Sequence, residues 1–414
     1  MKYGIKTIDD FDVKGKTILL RVDMNQPVNA KTETLEDITR IQACAPTVKE
    51  LSDKGAKLVV LAHQGSDVEY QNYHNLRPHA KVLGALTGKH IAFVPDICGP
   101  YAQEKIRALS DGEIILLDNV RFMAEEMTLF ETTLKLTPQQ MADTQVVRKL
   151  TPLADIYICD AFATAHRAQP TLVGFPQVLP SAIGRLFEKE YGILSGILDA
   201  PKRPCVFVLG GAKIQDAFMM MGKVLKEDIA DTVLTGGLLA NIMLIAKEVD
   251  IGKESEDFIY KKGLGDFIAQ AKGILELYGD KIIVPDDLAY VDDIGRHEAD
   301  ADELPQDKVL IDIGAKTIRK YEQIISAAGT IFVNGPMGVF EKEPSANGTK
   351  AVWEAIEAST GFSVVGGGDS VSAANMFGVS DAVGYICTGG GALVRFLSGE
   401  ELPVVRALKD AAGR

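Results

Sequence analysis

Short apolar runs rich in β-branched residues recur along the whole chain, each followed by a stretch with helical periodicity. In the first half they fall at 17–22, 57–62, 91–94, 113–117 and 155–159. In the second half they fall at 205–209, 232–234, 282–284, 309–311, 331–333, 363–365 and 384–386. A strand that is apolar on both faces must be covered on both faces, and intervening helices supply that cover. The pattern predicts an α/β protein built on doubly wound parallel sheets. At 414 residues the chain is too long for one ordinary core, so two domains are expected. The segment 182–200 reads as a helix with Leu186, Tyr191, Leu194 and Ile197 along one side, closed by Pro201 and Pro204. We expect it to connect a domain at 1–181 to a domain at 201–395. The Ala-rich stretch 403–414 is either a frayed end or a docked tail.

Composition excludes several classes. No apolar stretch reaches the roughly 18 residues that a membrane span needs. The N-terminal Met1-Lys2-Tyr3-Gly4-Ile5-Lys6 lacks the apolar centre of a signal peptide. A cytoplasmic protein is the plain expectation. The five cysteines (Cys44, Cys98, Cys159, Cys205, Cys387) are scattered with no Cys-x-x-Cys. That argues against a disulfide framework or a structural zinc site. A net charge of −13 repels nucleic acid and anionic membrane, so neither is an expected partner. Small anionic substrates stay possible, provided that arginines and lysines cluster locally.

Ligands of open parallel sheets sit beyond the C-terminal strand ends, so the residues following each run matter most. In the first half they are Asp23 and Asn25, His63, Asp118, Asn119 and Arg121, then Asp160, with His166 and Arg167 just beyond. These are side-chain donors, and the arginine fork matches carboxylate and phosphate. In the second half they are Gly210-Gly211-Ala212-Lys213, Thr235-Gly236-Gly237, Pro285-Asp286, Gly314, Asn334-Gly335-Pro336, Gly366-Gly367-Gly368-Asp369 and Thr388-Gly389-Gly390-Gly391. Glycine at a strand-to-helix turn lets backbone N–H groups approach phosphate, and a helix N-terminus favours negative charge. Taken singly, each feature has a plainer explanation. A Gly-Gly is usually a tight turn, Asp23 or Asp160 a cap or buried carboxylate, His63 a core histidine, and Arg121 or Arg167 a surface ion-pair partner. The acidic stretch 298–303 reads as a solvated loop. The glycine required early in a P-loop is missing before Gly15-Lys16-Thr17, and no Gly-x-Gly-x-x-Gly follows a strand. The two halves suit, respectively, a compact charged substrate and a nucleotide.

The motifs then resemble one family. Leu20-Arg21-Val22-Asp23-Met24-Asn25-Gln26-Pro27 is similar to the LRVDFNVP signature of phosphoglycerate kinases. Arg40-Ile41, Asp118-Asn119-Val120-Arg121-Phe122, Asp160-Ala161-Phe162, Ala165-His166-Arg167 and Gly210-Gly211-Ala212-Lys213 follow in family order. So do the blocks 334–341, 348–349, 366–369 and 388–392. The resemblance implies two Rossmann-like domains, the first completed by the tail 396–414. It implies reversible, magnesium-dependent transfer of a phosphoryl group from 1,3-bisphosphoglycerate to ADP, giving 3-phosphoglycerate and ATP, in a monomer that closes about its connector. The N-terminal domain is then expected to hold the phosphoglycerate through Asp23, Asn25, Arg40, His63, Ser66, Arg121 and Arg167. The C-terminal domain is expected to hold the nucleotide through Gly211, Lys213, Gly236, Gly237, Asn334, Pro336, Glu341, Gly367, Gly368, Asp369 and Ser370. Within these sets Glu341 takes the ribose hydroxyls and Asp369 the Mg2+. Arg40, Lys213 and Gly367 are the expected catalytic groups, stabilising the transferring phosphoryl without any enzyme nucleophile.

Three positions depart from the pattern. Ser66 stands where the family usually has Arg, Ala217 where many members have a second Lys, and Cys387 where Ser is usual. The pair His63-Gln64 and the missing second lysine resemble the archaeal branch. Losing one charged partner of an anion weakens binding by roughly 1.5–3 kcal/mol, and Arg77 is the expected substitute. The departures leave two alternatives: a related acyl-phosphate kinase with a different carboxylate acceptor, and a silent family member acting as a binding protein.

Overall fold

The structure, a computed structural model, describes residues 1–29, 31–65 and 73–414. The chain divides into two compact units. Unit 1 comprises Met1–Ile193 and Glu401–Arg414, and unit 2 comprises Leu194–Glu400.

Unit 1 is built on six strands: β1 (Thr17–Arg21), β2 (Lys57–Leu61), β3 (Ile91–Val94), β4 (Ile114–Leu117), β5 (Ile156–Cys159) and β6 (Ser181–Ile183). They lie in the order β3-β4-β2-β1-β5-β6, and every neighbouring pair is parallel. Ile18, Leu20, Leu58, Val60 and Ile158 pack with Val48 and Leu51 of helix Thr39–Asp53 in one fully buried cluster. Each such side chain contributes roughly 1.5–3 kcal/mol by leaving water. The chain runs from β1 toward one edge and later returns to the other side at β5. The C-terminal end of β1 is therefore a topological switch point, where a crevice opens.

Unit 2 repeats the plan. Its strands β7 (Cys205–Leu209), β8 (Thr232–Thr235), β9 (Ile282–Ile283), β13 (Thr330–Asn334), β14 (Phe362–Gly366) and β15 (Tyr385–Ile386) form a parallel sheet in the order β9-β8-β7-β13-β14-β15. Here the switch point lies between β7 and β13. A small antiparallel sheet, β11-β10-β12, is inserted from β10 (Asp287–Val291), β11 (Arg296–Asp300) and β12 (Asp312–Ile313).

Several sequence expectations are corrected. The helix expected over 182–200 begins only at Arg185, because Ser181–Ile183 adds to the sheet beside β5. Asp160, fully buried, accepts a hydrogen bond from the Phe187 N–H at 3.0 Å and so caps that helix from the neighbouring strand end. Its role is structural. The apolar run at 309–311 is not a strand of the large sheet; the strand there is Asp312–Ile313, antiparallel to β10. Part of the acidic stretch 298–303 is strand β11, anchored where Arg296 donates to the buried Asp312 at 2.8 Å. The tail forms helix Pro403–Ala412, which buries Val404, Val405, Ala407, Leu408 and Ala411. Its Arg414 donates to the carbonyl of Gln177 at 2.6 Å within unit 1. All five cysteines are free and buried. Among the described residues no helix is long and apolar enough to cross a membrane.

The first turn of helix Arg185–Asp199 is tied down by charge. Arg185 donates to Glu50 at 2.7 and 2.9 Å and to Asp9 at 2.6 and 2.8 Å. The hydrogen bond from Arg185 lowers the Glu50 carboxyl to about 2, more than its partial burial raises it. A lowered carboxyl stabilises the fold above its unfolded value and loses that stabilisation as pH falls through the folded value. The substitution Arg185→Met is expected to cost about 1 kcal/mol at pH 7, because solvent screens ion pairs this exposed. Urea titrations should show the difference from the parent shrinking as pH falls from about 4.5 toward 2.

Candidate functional site

In unit 1 the polar residues gather at the ends of β1 and β2. Asp23 follows β1 and accepts the Arg40 guanidinium at 2.6 Å with one oxygen and the Asn25 N–H at 3.0 Å with the other. Arg40 extends from the first turn of helix Thr39–Asp53. Its side chain stays 36% exposed although that of Asp23 is only 4% exposed, so the carboxylate orients the guanidinium and leaves part of it open to solvent. Asn25 grips the Gly65 peptide from both sides, accepting its N–H at 2.9 Å and donating to its carbonyl at 3.4 Å. Arg121 donates to the same carbonyl at 2.6 Å. Arg167 donates to Thr128 at 2.8 Å, with Glu131 at 3.9 Å.

His63 lies at the centre of these groups. Burial first, and then the charges of Arg21, Arg121, Arg40 and Arg167, hold its imidazole well below the usual histidine value, so it is neutral. Unit 1 therefore brings Asp23, Asn25, Arg40, His63, Arg121 and Arg167 together around one strongly positive spot. Ser66 lies outside the described residues. The guanidinium of Arg77 sits 4.7 Å over the Phe93 ring. Sequence reasoning overlooked Arg21, which is wholly buried, and named Asn119 only as a strand-end donor, whereas its side chain holds the backbone of Gln64 and His74. Both belong to motifs quoted above, but neither residue is marked there as buried.

In unit 2 the glycine turns gather at the switch point between β7 and β13. The Gly210 N–H donates to Asn334, Gly211 to Pro336 and Gly237 to Met337, at 3.0, 2.8 and 2.7 Å. The glycines there serve two purposes. A Cβ on Gly237, whose φ is +56°, would lie 2.8 Å from the Gly211 nitrogen, and one on Gly236 would lie 2.6 Å from the Met337 sulfur. These glycines allow backbones to pack. A Cβ on Gly368 would meet nothing within 4 Å, so that glycine leaves room at the start of helix Gly368–Met376.

A cavity of about 130 Å3 opens there, lined by Gly211, Lys213, Asn334, Gly367, Gly368, Asp369 and Ser370. A neighbouring cavity of about 320 Å3 shares Gly211, Ala212 and Asp369 with it and continues past Gly237, Pro336 and Glu341 to Phe258, Leu288 and Leu310. The small cavity is polar and backbone-lined. The larger one is walled by apolar side chains. Lys213 and Asp369 face each other at 4.0 Å with both side chains more than half exposed. Ser370 accepts the Gly335 N–H at 2.6 Å, and Asn334 donates to the Gly366 carbonyl at 3.2 Å, so both brace the turns. Gly236 lines neither cavity. The apolar wall came unseen from the sequence, because Phe258, Leu288 and Leu310 carry no motif. A roomier cavity of about 680 Å3 beside Pro285 and Asp286 has no glycine turn in its lining, and its Lys316 is paired with Asp300. The two smaller cavities, at the switch point, are the candidate site.

A doubly wound fold that gathers guanidinium groups at one sheet and backbone N–H groups at the other is that of a phosphotransferase. The family model described as phosphoglycerate kinase matches residues 8–400. Phosphoglycerate kinase of Methanobacterium bryantii is 46% identical over 410 residues, covering 99% of this chain and 98% of that protein. That of Methanothermobacter thermautotrophicus is 45% identical over 411 residues, covering 99% and 98%. The crystal structure of the enzyme from Pyrococcus horikoshii OT3 superposes with a TM-score of 0.87 at 40% identity, covering 98% of this chain and 99% of that one. The enzyme from Coxiella burnetii gives a TM-score of 0.83 at 28% identity, covering 99% and 100%. The chain belongs to the phosphoglycerate kinase family, and its curated relatives include archaeal members at the higher identities.

The two kinds of glycine predict opposite outcomes. Gly237→Ala is expected to destabilise the protein by about 1–3 kcal/mol, the range for forced backbone strain. Gly368→Ala should leave the urea midpoint within error of the parent.

Proposed function

We propose that this chain transfers a phosphoryl group reversibly between 1,3-bisphosphoglycerate and ADP, releasing 3-phosphoglycerate and ATP. The observation that carries the reading is Lys213 opposite Asp369 at the mouth of a glycine cradle on a parallel-sheet switch point. A cation, a carboxylate and open backbone N–H groups at one point suit a polyphosphate chain.

Each residue then has a role. Arg121 and Arg167 hold the anionic groups of the phosphoglycerate, and Asn25 fixes the Gly65 peptide beside them. Asp23 aims Arg40. Neutral His63 offers a hydrogen bond without adding a further charge. On the nucleotide, the apolar cavity takes the base, Glu341 accepts from the ribose hydroxyls, and Gly367 and Gly368 present N–H groups at a helix N-terminus. Lys213 on the nucleotide and Arg40 on the phosphoglycerate supply the positive charge that phosphate oxygens need during in-line transfer.

Among the described residues no group of three acidic or imidazole side chains could hold a metal by itself. Mg2+ does not need one, since it commonly binds through one or two carboxylates plus substrate phosphates and water. Exposed Asp369 fits that requirement and would hold Mg2+, which supplies neutralisation of the phosphate oxygens. The proposal extends to a cytoplasmic setting, supported by five buried free thiols, and to a monomer.

The test is a nicotinamide-coupled assay with magnesium ATP and 3-phosphoglycerate. Turnover is expected, and Lys213→Ala or Arg40→Ala should lower kcat by about 100- to 1,000-fold. Gly368→Ala should raise KM for ATP in a protein of unchanged stability, and Asp369→Asn should raise the magnesium requirement. Nucleotide binding without turnover in the parent protein, or turnover only with another carboxylate, overturns the proposal.

A further inference from the structure

Arg21 differs from the other arginines near His63. Its side chain is wholly buried, and all three of its nitrogens are engaged. One terminal nitrogen donates to the Val22 carbonyl at 2.5 Å, Nε donates to the Thr171 hydroxyl at 3.1 Å, and the other terminal nitrogen faces His63 Nδ1 at 3.2 Å. A guanidinium can only donate. His63 Nδ1 must therefore accept, and a neutral imidazole then carries its single proton on Nε2.

Arg21 is itself fixed from behind. Glu126, wholly buried, accepts the Thr171 N–H at 2.6 Å and the Thr171 hydroxyl at 2.8 Å. Because that hydroxyl hydrogen points to Glu126, the lone pairs of the oxygen are left for Arg21. Tyr157 holds the Thr171 carbonyl at 2.8 Å. Burial drives the Glu126 carboxyl upward, and the charge of Arg21 is the foremost influence pulling it back. The buried carboxyl and the buried guanidinium are thus joined through one hydroxyl.

We propose that Glu126, Thr171 and Arg21 form a relay of positioning residues that locks His63 as the Nε2–H tautomer, so that it can donate a hydrogen bond to the phosphoglycerate. Only the last step, donation to substrate, rests on the function proposed above. The relay itself is a property of the free protein.

The test combines tautomer and kinetics. In the ligand-free parent, 15N shifts of His63 should show Nδ1 unprotonated and Nε2 protonated. Thr171→Val keeps shape and charge but breaks the relay. It should give a mixed or reversed tautomer and raise KM for 3-phosphoglycerate about tenfold, with KM for ATP unchanged and kcat within about threefold. Because Arg21→Met alone strands Glu126 and can unfold the chain, the double variant Arg21→Met with Glu126→Gln serves as the second test and should behave alike. A parent that shows Nδ1–H or a charged imidazole overturns the proposal. So does an unshifted tautomer in both folded variants. A tautomer shift with KM for 3-phosphoglycerate unchanged supports the relay and contradicts the substrate reading.

Discussion

Guanidinium groups clustered around one imidazole repel one another, and unit 1 has to hold them together. At an effective dielectric of about 20, two unit charges 4 Å apart interact by about 4 kcal/mol, so unopposed crowding is costly. Among the described residues, the fold orients these groups with nearby acceptors. Asp23 engages one edge of Arg40 and leaves the rest exposed. Glu126 reaches Arg21 only through Thr171. Arg121 donates to the Gly65 carbonyl, which orients it. The imidazole yields its own proton charge to its surroundings. An acidic protein of net charge −13 thereby keeps one positive spot for an anionic substrate.

Unit 2 meets a similar demand by other means. Its cradle relies on backbone N–H groups, Lys213 and a helix N-terminus, and its glycines allow three chain segments to converge at the β7–β13 switch point. Backbone donors need no side-chain ordering and carry partial charge, so less repulsion has to be contained. The apolar cavity beside the cradle rests on the small inserted sheet, whose strands supply Leu288 and whose Asp312 is clamped by Arg296 and the Gly348 N–H. Both units place their chemistry at strand ends where the winding reverses.

The large sheets were legible because their strands are buried on both faces and read as apolar runs; 91–94 and 205–209 match to the residue. Strand β6 was not. Three residues, Ser181–Ile183, carry no period, and they precede a genuine helix that absorbs them in a sequence reading. The inserted sheet was hidden because β11 is polar apart from Ala299, Arg-His-Glu-Ala-Asp. Glycine turns announced the nucleotide half, but their separate roles emerged only from packing: Gly236 and Gly237 are tight, whereas Gly368 is open. Arg21 was visible within its motif and silent about its function, since its partners lie 42 and 150 residues away.

In this account the protein supplies charge and position and no nucleophile. The cysteines are all buried, and the nitrogen of His63 that lacks a proton already accepts from Arg21. A single in-line displacement inverts the configuration at phosphorus. The direct test is transfer from ATP made chiral at its γ-phosphorus with oxygen isotopes to 3-phosphoglycerate. Inversion is expected; retention, the mark of a double displacement through a phosphorylated side chain, would overturn direct transfer.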